Sequence, residues 1–180
     1  PGQFAGIPLA ARRSMPYDMG DFAVAGAGQA RRFITGYDGR PPSDLDWMTI
    51  PENRLCEATA GEIFHDPAGL MEPWRKSIAY FPDNVWHKRL SFTWVMLGTT
   101  AQIRRCVARQ DVVAAHLWVS WFLEAGMRMG FLLARRYAPW RKWLLRRLKE
   151  VWTGDPRMPD LLHELACEAA LARQEALMLE

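Results

Sequence analysis

The sequence predicts a mainly α-helical fold, in which a bundle of four main helices follows an irregular α+β segment with one short strand. Three observations support this prediction. Residues 1–42 are rich in Gly and Pro, which interrupt regular structure. From residue 83 onward, long stretches follow residues that favour helix starts. Hydrophobic residues make up 49% of the 180 positions, which is enough for a core. We therefore divide the chain into an irregular segment, 1–82, and a helical bundle, 83–180.

The irregular segment predicts only short elements. Gly36 and Gly61 are placed to end two helices, and Pro51 is placed to begin the second, because Pro suits a first helical turn and Gly the residue after a helix. Gly61 and Pro67 bound a short apolar stretch that predicts a strand. The predicted elements are a helix over about 22–34, a helix over 51–58, a strand over 62–66 and a helix over 71–79.

The bundle predicts four longer helices, and each has its own start or stop signal. Pro82 and Asp83 favour the start of the first helix, and Asp111 is a good N-cap for the second helix. Pro139 suits the first turn of the third helix, which the cluster Thr153-Gly154-Asp155-Pro156 ends. The predicted helices cover about 83–108, 111–136, 139–152 and 160 to near the C-terminus.

Charge and cysteine content exclude several classes of protein. The 23 basic and 20 acidic residues nearly balance, so we do not expect nucleic acid to be a partner. The three cysteines are widely spaced and form no CxxC pair, which argues against a disulfide framework or a zinc site and for a cytoplasmic protein. The apolar stretch 112–134 contains His116, Glu124 and Arg128, so we expect no membrane span.

The segment Ser43-Asp44-Leu45-Asp46 has the spacing of paired strand carboxylates that bind magnesium for nucleotidyl transfer. Such a site needs a Gly-Ser turn upstream and a central strand. Here Pro41 and Pro42 come directly before the segment, and a central strand does not tolerate proline. We favour a capped turn that leads to Trp47.

Glu62 and Asp66 would lie on one face of the predicted strand over residues 62–66. A strand carboxylate beside a turn can be a metal ligand or a general base. A single carboxylate in that position is more often a turn cap, which is the interpretation that the residues alone favour.

The segment from Tyr137 to Trp143 joins an apolar helix to a basic one. Arg141 and Lys142 lie beside two tryptophans and form a cationic, aromatic surface suited to a phosphate-bearing ligand. Tryptophans more commonly supply core volume, and basic residues commonly form a solvated face. Both interpretations stay open at this point.

With these residues in view, the span from Trp47 to about Leu148 resembles the uncharacterised helical domain found C-terminal to the catalytic domain in nucleotidyltransferase-like proteins. The resemblance covers somewhat over half of the chain. The matching pieces are Asp46-Trp47-Met48, Pro51-Glu52-Asn53-Arg54-Leu55, Thr59-Ala60-Gly61-Glu62-Ile63-Phe64-His65-Asp66, Arg75, Tyr80-Phe81-Pro82-Asp83, Arg109 and Tyr137-Ala138-Pro139-Trp140-Arg141-Lys142-Trp143.

The resemblance implies a substrate-side domain, with nucleotide and acceptor bound between it and a nucleotidyltransferase domain. It implies that Asp66 is the third carboxylate of a magnesium site and that Asp66 and Glu62 are catalytic. It further implies a nucleoside triphosphate as cofactor. The residues expected to contact it are Lys142, Arg141, Tyr137, Arg75 and Arg109.

The expected activity is transfer of a nucleotidyl group to an unidentified acceptor, such as an antibiotic-like small molecule. The upstream Gly-Ser turn and paired aspartates are not recognisable, and the chain begins at Pro1 rather than Met. We therefore expect residues 1–82 to contain a remnant or edge of a nucleotidyltransferase-like domain, the N-terminal catalytic half to be missing, and this fragment to be inactive alone.

Two alternatives to this function remain. In the first, the chain is a non-catalytic interaction module whose basic face, on the helix after Pro139, binds an acidic partner or RNA. In the second, it is a degenerate domain retained for packing or dimerisation through apolar surface.

Overall fold

The computed structural model describes residues 3–4, 7–8, 27–36, 41–98, 100–170, 173–174 and 177–179. Within these ranges the fold is mainly helical, as predicted. Two short strands, β1 (Gln3–Phe4) and β2 (Ile7–Pro8), pair antiparallel. The helices are α1 (Ala27–Thr35), α2 (Asp44–Thr49), α3 (Glu52–Thr59), α4 (Met71–Ser77), α5 (Asp83–Leu97), α6 (Thr100–Ala108), α7 (Val112–Leu133), α8 (Leu144–Val151) and α9 (Met158–Cys167), with a 3₁₀ turn (Arg141–Trp143) directly before α8.

Helix α7 is the centre of the bundle, because α5, α6, α8 and α9 all pack against it. The apolar core has three clusters. One lies between α6, α7 and α9, and another between α7, α8 and α9. The remaining cluster extends from Trp47 and Leu55 through Phe81 to Leu132 and Tyr137. It thus contains residues from both sides of position 82, while the division of the chain into two domains stays a prediction.

Several start and stop signals act as the sequence predicts. Gly36 has a φ of +80°, a left-handed conformation that glycine adopts without strain, and follows α1 directly. The first part of that predicted helix, residues 22–26, lies outside the described residues. The Ser43 hydroxyl accepts a hydrogen bond from the Asp46 N–H, and the Asp46 carboxylate accepts one from the Ser43 N–H. The capped turn is therefore confirmed, and it begins the short helix α2.

The prediction of a strand over residues 62–66 is wrong. These residues form a loop with no β-pairing. Gly61 and Gly69, with φ of +68° and +59°, turn the chain on either side of the loop. The side chain of Asp66 hydrogen-bonds the start of α4, so the segment leads into a helix, and it pairs with no strand in the described ranges.

The predicted helix over 83–108 is in fact two helices, α5 and α6. Gly98 ends α5, and its N–H hydrogen-bonds the carbonyls of Trp94 and Val95. Glycine is a weak helix former, and β-branched Thr100 follows shortly after it, so this position favours a break. The second predicted helix has its expected N-cap, since Asp111 accepts a hydrogen bond from the Ala114 N–H.

Two further helix boundaries differ from the prediction. Residues 138–140 are not helical, and regular α-helix begins only at Leu144, after the 3₁₀ turn. The reason is that side chains of α3 hydrogen-bond residues 138 and 140 and keep this segment out of the helix, as described below. The last helix ends at Cys167 rather than near the C-terminus. No described helix combines the length and the apolar character that crossing a bilayer requires.

Candidate functional site

A groove of about 930 Å³ lies between α5 and α7. On α5 its lining runs from Arg89 to Met96, and on α7 it runs from Leu117 to Leu132. On α5 the lining positions Arg89, Phe92, Thr93 and Met96 lie three or four residues apart in pairs, because residues at that spacing share one face of a helix. Helices α2 and α3, the 3₁₀ turn before α8 and the first residue of α8 contribute the remaining lining.

Large apolar side chains form the groove's walls and are exposed to solvent. Phe92 on α5 is 64% exposed, and Trp121 on α7 is 50% exposed. Leu117 and Met48 are also exposed and lie in the same lining. Exposed apolar surface that lines a concavity is typical of a binding site, and the volume is within the usual range for small-molecule sites.

A chain of ion pairs connects the elements around the groove. The Arg128 guanidinium donates to Glu52 at 3.1 Å and to Glu124 at 2.9 Å. Glu124 also pairs with Arg141 at 3.0 Å. The side chain of Glu52 is only 9% exposed, and its other oxygen accepts a hydrogen bond from the Ala138 N–H at 2.9 Å. Both carboxylates therefore use both of their oxygens within the protein.

Burial and charge act differently on these two carboxylates. Burial raises the pKa of Glu52, and the Ala138 N–H and Arg128 offset this effect only in part. Burial also acts to raise the pKa of Glu124, but hydrogen bonds from Arg128 and Arg141 outweigh it and lower the pKa. The more buried carboxylate thus has its charge disfavoured, and the more open one has its charge stabilised.

Arg89 lines the groove, and no carboxylate of the described residues forms an ion pair with it. Its Nη2 donates to the Trp47 carbonyl at 2.7 Å, and its guanidinium lies 4.4 Å from the centroid of the Phe81 ring. Its Nε is buried and has no acceptor in the described structure. Burial lowers the pKa of Arg89, while nearby Glu52 opposes that shift. Among the residues that the structure describes, no direct ion pair therefore balances this partly buried cation of the groove.

The connection from Tyr137 to Trp140 is held in place by side-chain hydrogen bonds. The Tyr137 hydroxyl donates to the Ile78 carbonyl at 3.0 Å, and the Trp140 indole N–H donates to Glu57. Together with the bond from Ala138 to Glu52, these contacts hold the chain between α7 and α8 against α3 and the end of α4. The segment for which the sequence predicts a cationic, aromatic surface thus begins with a connection between helices that hydrogen bonds hold in place.

A second, smaller cavity of about 370 Å³ contains two of the predicted nucleotide-binding residues, Arg75 and Tyr137. The Arg75 guanidinium donates to the carbonyls of Ala58, in the last turn of α3, and of Ala60 and Gly61, directly after it. Tyr137 is buried, and burial raises the pKa of its phenol far above the ordinary value. Both side chains thus have structural contacts, and their nucleotide role stays a prediction.

Asp66 makes three hydrogen bonds to backbone amides at the start of α4. Its carboxylate accepts from Leu70 at 3.0 Å, Met71 at 2.8 Å and Glu72 at 3.1 Å. Partial desolvation acts to raise the pKa of Asp66, but these amide bonds outweigh it and lower the pKa. The cap interpretation is confirmed, and Glu62 lies exposed in the loop before it. Catalytic roles for both residues stay predictions.

The other predicted nucleotide contacts have different surroundings. Arg141 lines the groove and pairs with Glu124, whereas Lys142 is exposed beside the Trp143 ring and lines neither cavity. Arg109 follows α6 and also lines neither cavity. The basic face of α8 is largely paired, since Arg147 contacts Glu150, and Lys149 contacts Asp160 at 2.8 Å.

The described residues do not provide a complete metal site. Nowhere in the described ranges do three His, Cys, Asp or Glu side chains come close enough to hold an ion together. Asp66 already accepts three amide hydrogen bonds, and a carboxylate has about four acceptor positions. This donor set does not fit a magnesium ion without further ligands, so we assign no reaction step to a metal here.

Sequence reasoning missed the residues that contribute most to the groove. Glu124 and Arg128 gave a signal, since acidic and basic residues four apart in a helix commonly pair. Glu52, Arg89 and Trp121 gave none, because their roles depend on contacts between α3, α5 and α7. Such long-range contacts leave no periodic pattern in the sequence.

The family comparison covers residues 47–144, which match the model of a domain of unknown function (DUF4037). This range is more than half of the chain and contains the whole groove lining, from Met48 to Leu144. It confirms an uncharacterised domain in the part of the chain where the sequence indicates one. No curated protein and no solved structure matches the chain. The chain therefore belongs to the DUF4037 family.

Proposed function

We propose that this chain is the acceptor-binding side of a nucleotidyltransferase-like protein and that the groove between α5 and α7 binds a small-molecule acceptor. The observation that carries the proposal is the groove itself. It combines exposed apolar walls with charged side chains, and every residue of its lining falls within the family match. The volume of about 930 Å³ suits a drug-sized molecule.

The rigidity of the groove supports a binding role. The ion pairs of Arg128 with Glu52 and Glu124 connect α3 to α7, and Arg141 connects α7 to the turn before α8. Side chains held in this way lose little further freedom when a ligand binds, which favours affinity. A groove prearranged by contacts between its helices is what a substrate-positioning domain requires.

The nucleotide side of the proposal rests on the sequence resemblance. In such a transfer an acceptor hydroxyl attacks the α-phosphorus of a nucleoside triphosphate, and pyrophosphate leaves. The catalytic carboxylates and most magnesium ligands would belong to a nucleotidyltransferase domain. Asp66 and Glu62 would face that domain from the loop before α4. Lys142, exposed beside the groove-lining Arg141, would contact the phosphates.

The proposal is tested by following the α-phosphate. The full-length protein is incubated with Mg²⁺, a nucleoside triphosphate labelled at the α-phosphate, and a small-molecule extract. We expect label to move to a small molecule with release of pyrophosphate. Lys142→Ala should weaken nucleotide affinity, whereas Lys149→Ala, a matched exposed lysine paired with Asp160, should not.

Two outcomes would argue against the proposal. If none of the four common nucleoside triphosphates gives labelled small molecule, the transferase function is wrong. If transfer occurs but Lys142→Ala and Lys149→Ala behave alike, the transferase function stands and the assignment of Lys142 to the phosphates is wrong.

A further inference from the structure

The charged residues of the groove favour an anion over a cation. Both oxygens of Glu52 and both oxygens of Glu124 already accept hydrogen bonds or pair with arginines. A cationic ligand would therefore have to share these oxygens with positively charged guanidinium groups or with the Ala138 N–H. Across the whole lining there are three arginines against the two glutamates, so the charge of the groove is positive.

Arg89 is the arginine of the lining whose charge no carboxylate in the described part of the chain neutralises by a direct ion pair. Of its five N–H donors, only those on Nη2 find an acceptor, the Trp47 carbonyl, in the described part of the chain. The ring of Phe81 contacts the guanidinium but brings no compensating charge. A partly buried guanidinium with open donor positions forms strong hydrogen bonds to an oxyanion, and Arg is well shaped for a planar, two-oxygen contact.

The walls next to Arg89 are apolar and aromatic. Phe92 is less than one turn further along α5, and Trp121 and Leu117 face it from α7 in the same lining. Trp121 also stacks on Trp118, with 5.6 Å between ring centroids, which limits the movement of its indole. A flat apolar or aromatic group would bury these walls on binding.

We propose that the groove selects a small amphipathic anion, whose carboxylate, sulfonate or phosphate group pairs with Arg89 and whose apolar body contacts Phe92 and Trp121. This inference rests on the proposed function, because it names the chemical class of the acceptor. The hydroxyl that accepts the nucleotidyl group would then belong to a molecule that also carries a negative charge.

Two related dyes test the inference without knowledge of the acceptor. Anilinonaphthalene sulfonate carries one negative charge, and its parent, phenylnaphthylamine, has the same ring system without charge. We expect the folded wild-type protein to bind the sulfonate about tenfold more tightly, as one charged hydrogen bond implies. Equal affinity for the two dyes would overturn the inference.

Variants then place the preference at Arg89. Arg89→Met should abolish the preference and leave binding of the neutral dye unchanged, whereas Arg105→Met, outside both cavities, should change neither affinity. Met48→Glu provides a second variant at an exposed lining position in case Arg89→Met does not fold. It should weaken sulfonate binding about threefold more than it weakens binding of the neutral dye, because the new carboxylate repels only the charged dye. A preference that survives a folded Arg89→Met, or a Met48→Glu that affects both dyes alike, would contradict the assignment.

A further pair of variants tests whether both dyes bind in the groove. Trp121→Ala should weaken both about equally, and Trp94→Ala, an exposed tryptophan of α5 outside the lining, should weaken neither. Equal effects of the two variants would contradict binding in the groove. Dye binding needs no nucleotide, so the two proposals can fail separately. If no label is transferred but the protein still prefers the anionic dye, only the transferase proposal is wrong. If label is transferred but the protein shows no preference for the anionic dye, only the inference about the acceptor class is wrong.

Discussion

The buried carboxylate of Glu52 gives the sharpest prediction, because the structure separates its two possible roles. It accepts a hydrogen bond from the Ala138 N–H at 2.9 Å, and it pairs with Arg128 at 3.1 Å. Burial raises the pKa of Glu52, which means that the folded protein tolerates its neutral form better than its charged form. We therefore expect the hydrogen bond, rather than the charge, to provide most of its contribution to stability.

Two substitutions measure the two roles. Glu52→Ala leaves the N–H of Ala138, a fully buried residue, without a partner, which costs about 2 kcal/mol. It also removes one buried methylene group, which adds about 1 kcal/mol. The total loss is about 3 kcal/mol, or a fall in Tm of about 6–12 °C for a chain of this size. Glu52→Gln keeps an oxygen acceptor for Ala138 but turns its amide N–H₂ toward Arg128, which keeps Glu124, so we expect a smaller loss of about 1–2 kcal/mol.

Urea unfolding followed by circular dichroism at pH 7 compares these variants. Glu150→Ala serves as the control, because Glu150 is an exposed partner of Arg147 and should contribute less than about 0.5 kcal/mol. The reasoning is refuted if Glu52→Gln destabilises the protein as much as Glu52→Ala, since the charge would then matter more than the hydrogen bond. It is also refuted if Glu52→Ala is no more destabilising than the control.

Three further predictions follow from local geometry. Gly130→Ala would place a methyl group 2.6 Å from a Leu148 methyl, so it should lower the free energy of unfolding by about 1–3 kcal/mol. Gly28→Ala in α1 meets no atom within 4 Å and should be neutral or stabilising. Similar urea midpoints for the two variants would contradict this prediction. Arg75→Met removes the donors to three carbonyls at the end of α3 and should cost about 1–2 kcal/mol in the same assay; no measurable loss of stability would contradict this prediction. The lowered pKa of Asp66 stabilises the folded state above the unfolded-state pKa of about 4, and this stabilisation is lost as the pH falls through the pKa of the folded state. The Tm of wild type should therefore fall more steeply below about pH 4 than the Tm of Asp66→Asn. Parallel curves of Tm against pH would argue against the cap.

Local signals in the sequence predicted the helical class and many helix ends. Gly36, Ser43, Pro51 and Asp111 act through contacts within a few residues, so each was interpretable without the fold. The strand over 62–66 failed because a strand requires a partner, which no local pattern provides.

The start of α8 and the groove depended on contacts that are distant in sequence. Pro139 favours a first helical turn, but Glu52 and Glu57 hold the residues on either side of it from α3, and helix begins later. Arg89 lines a groove only because α5 and α7 pack side by side. A single sequence contains no signal for pairings of this kind.

The kinetics of the groove variants test the central claim most directly. The initial rate of label transfer is measured against acceptor concentration for wild type, Trp121→Ala and Trp94→Ala. If the groove binds the acceptor, Trp121→Ala raises the KM for the acceptor about tenfold and leaves the KM for the nucleotide unchanged, and Trp94→Ala matches wild type. If Trp121→Ala and Trp94→Ala give the same acceptor KM as wild type, the acceptor does not bind between α5 and α7.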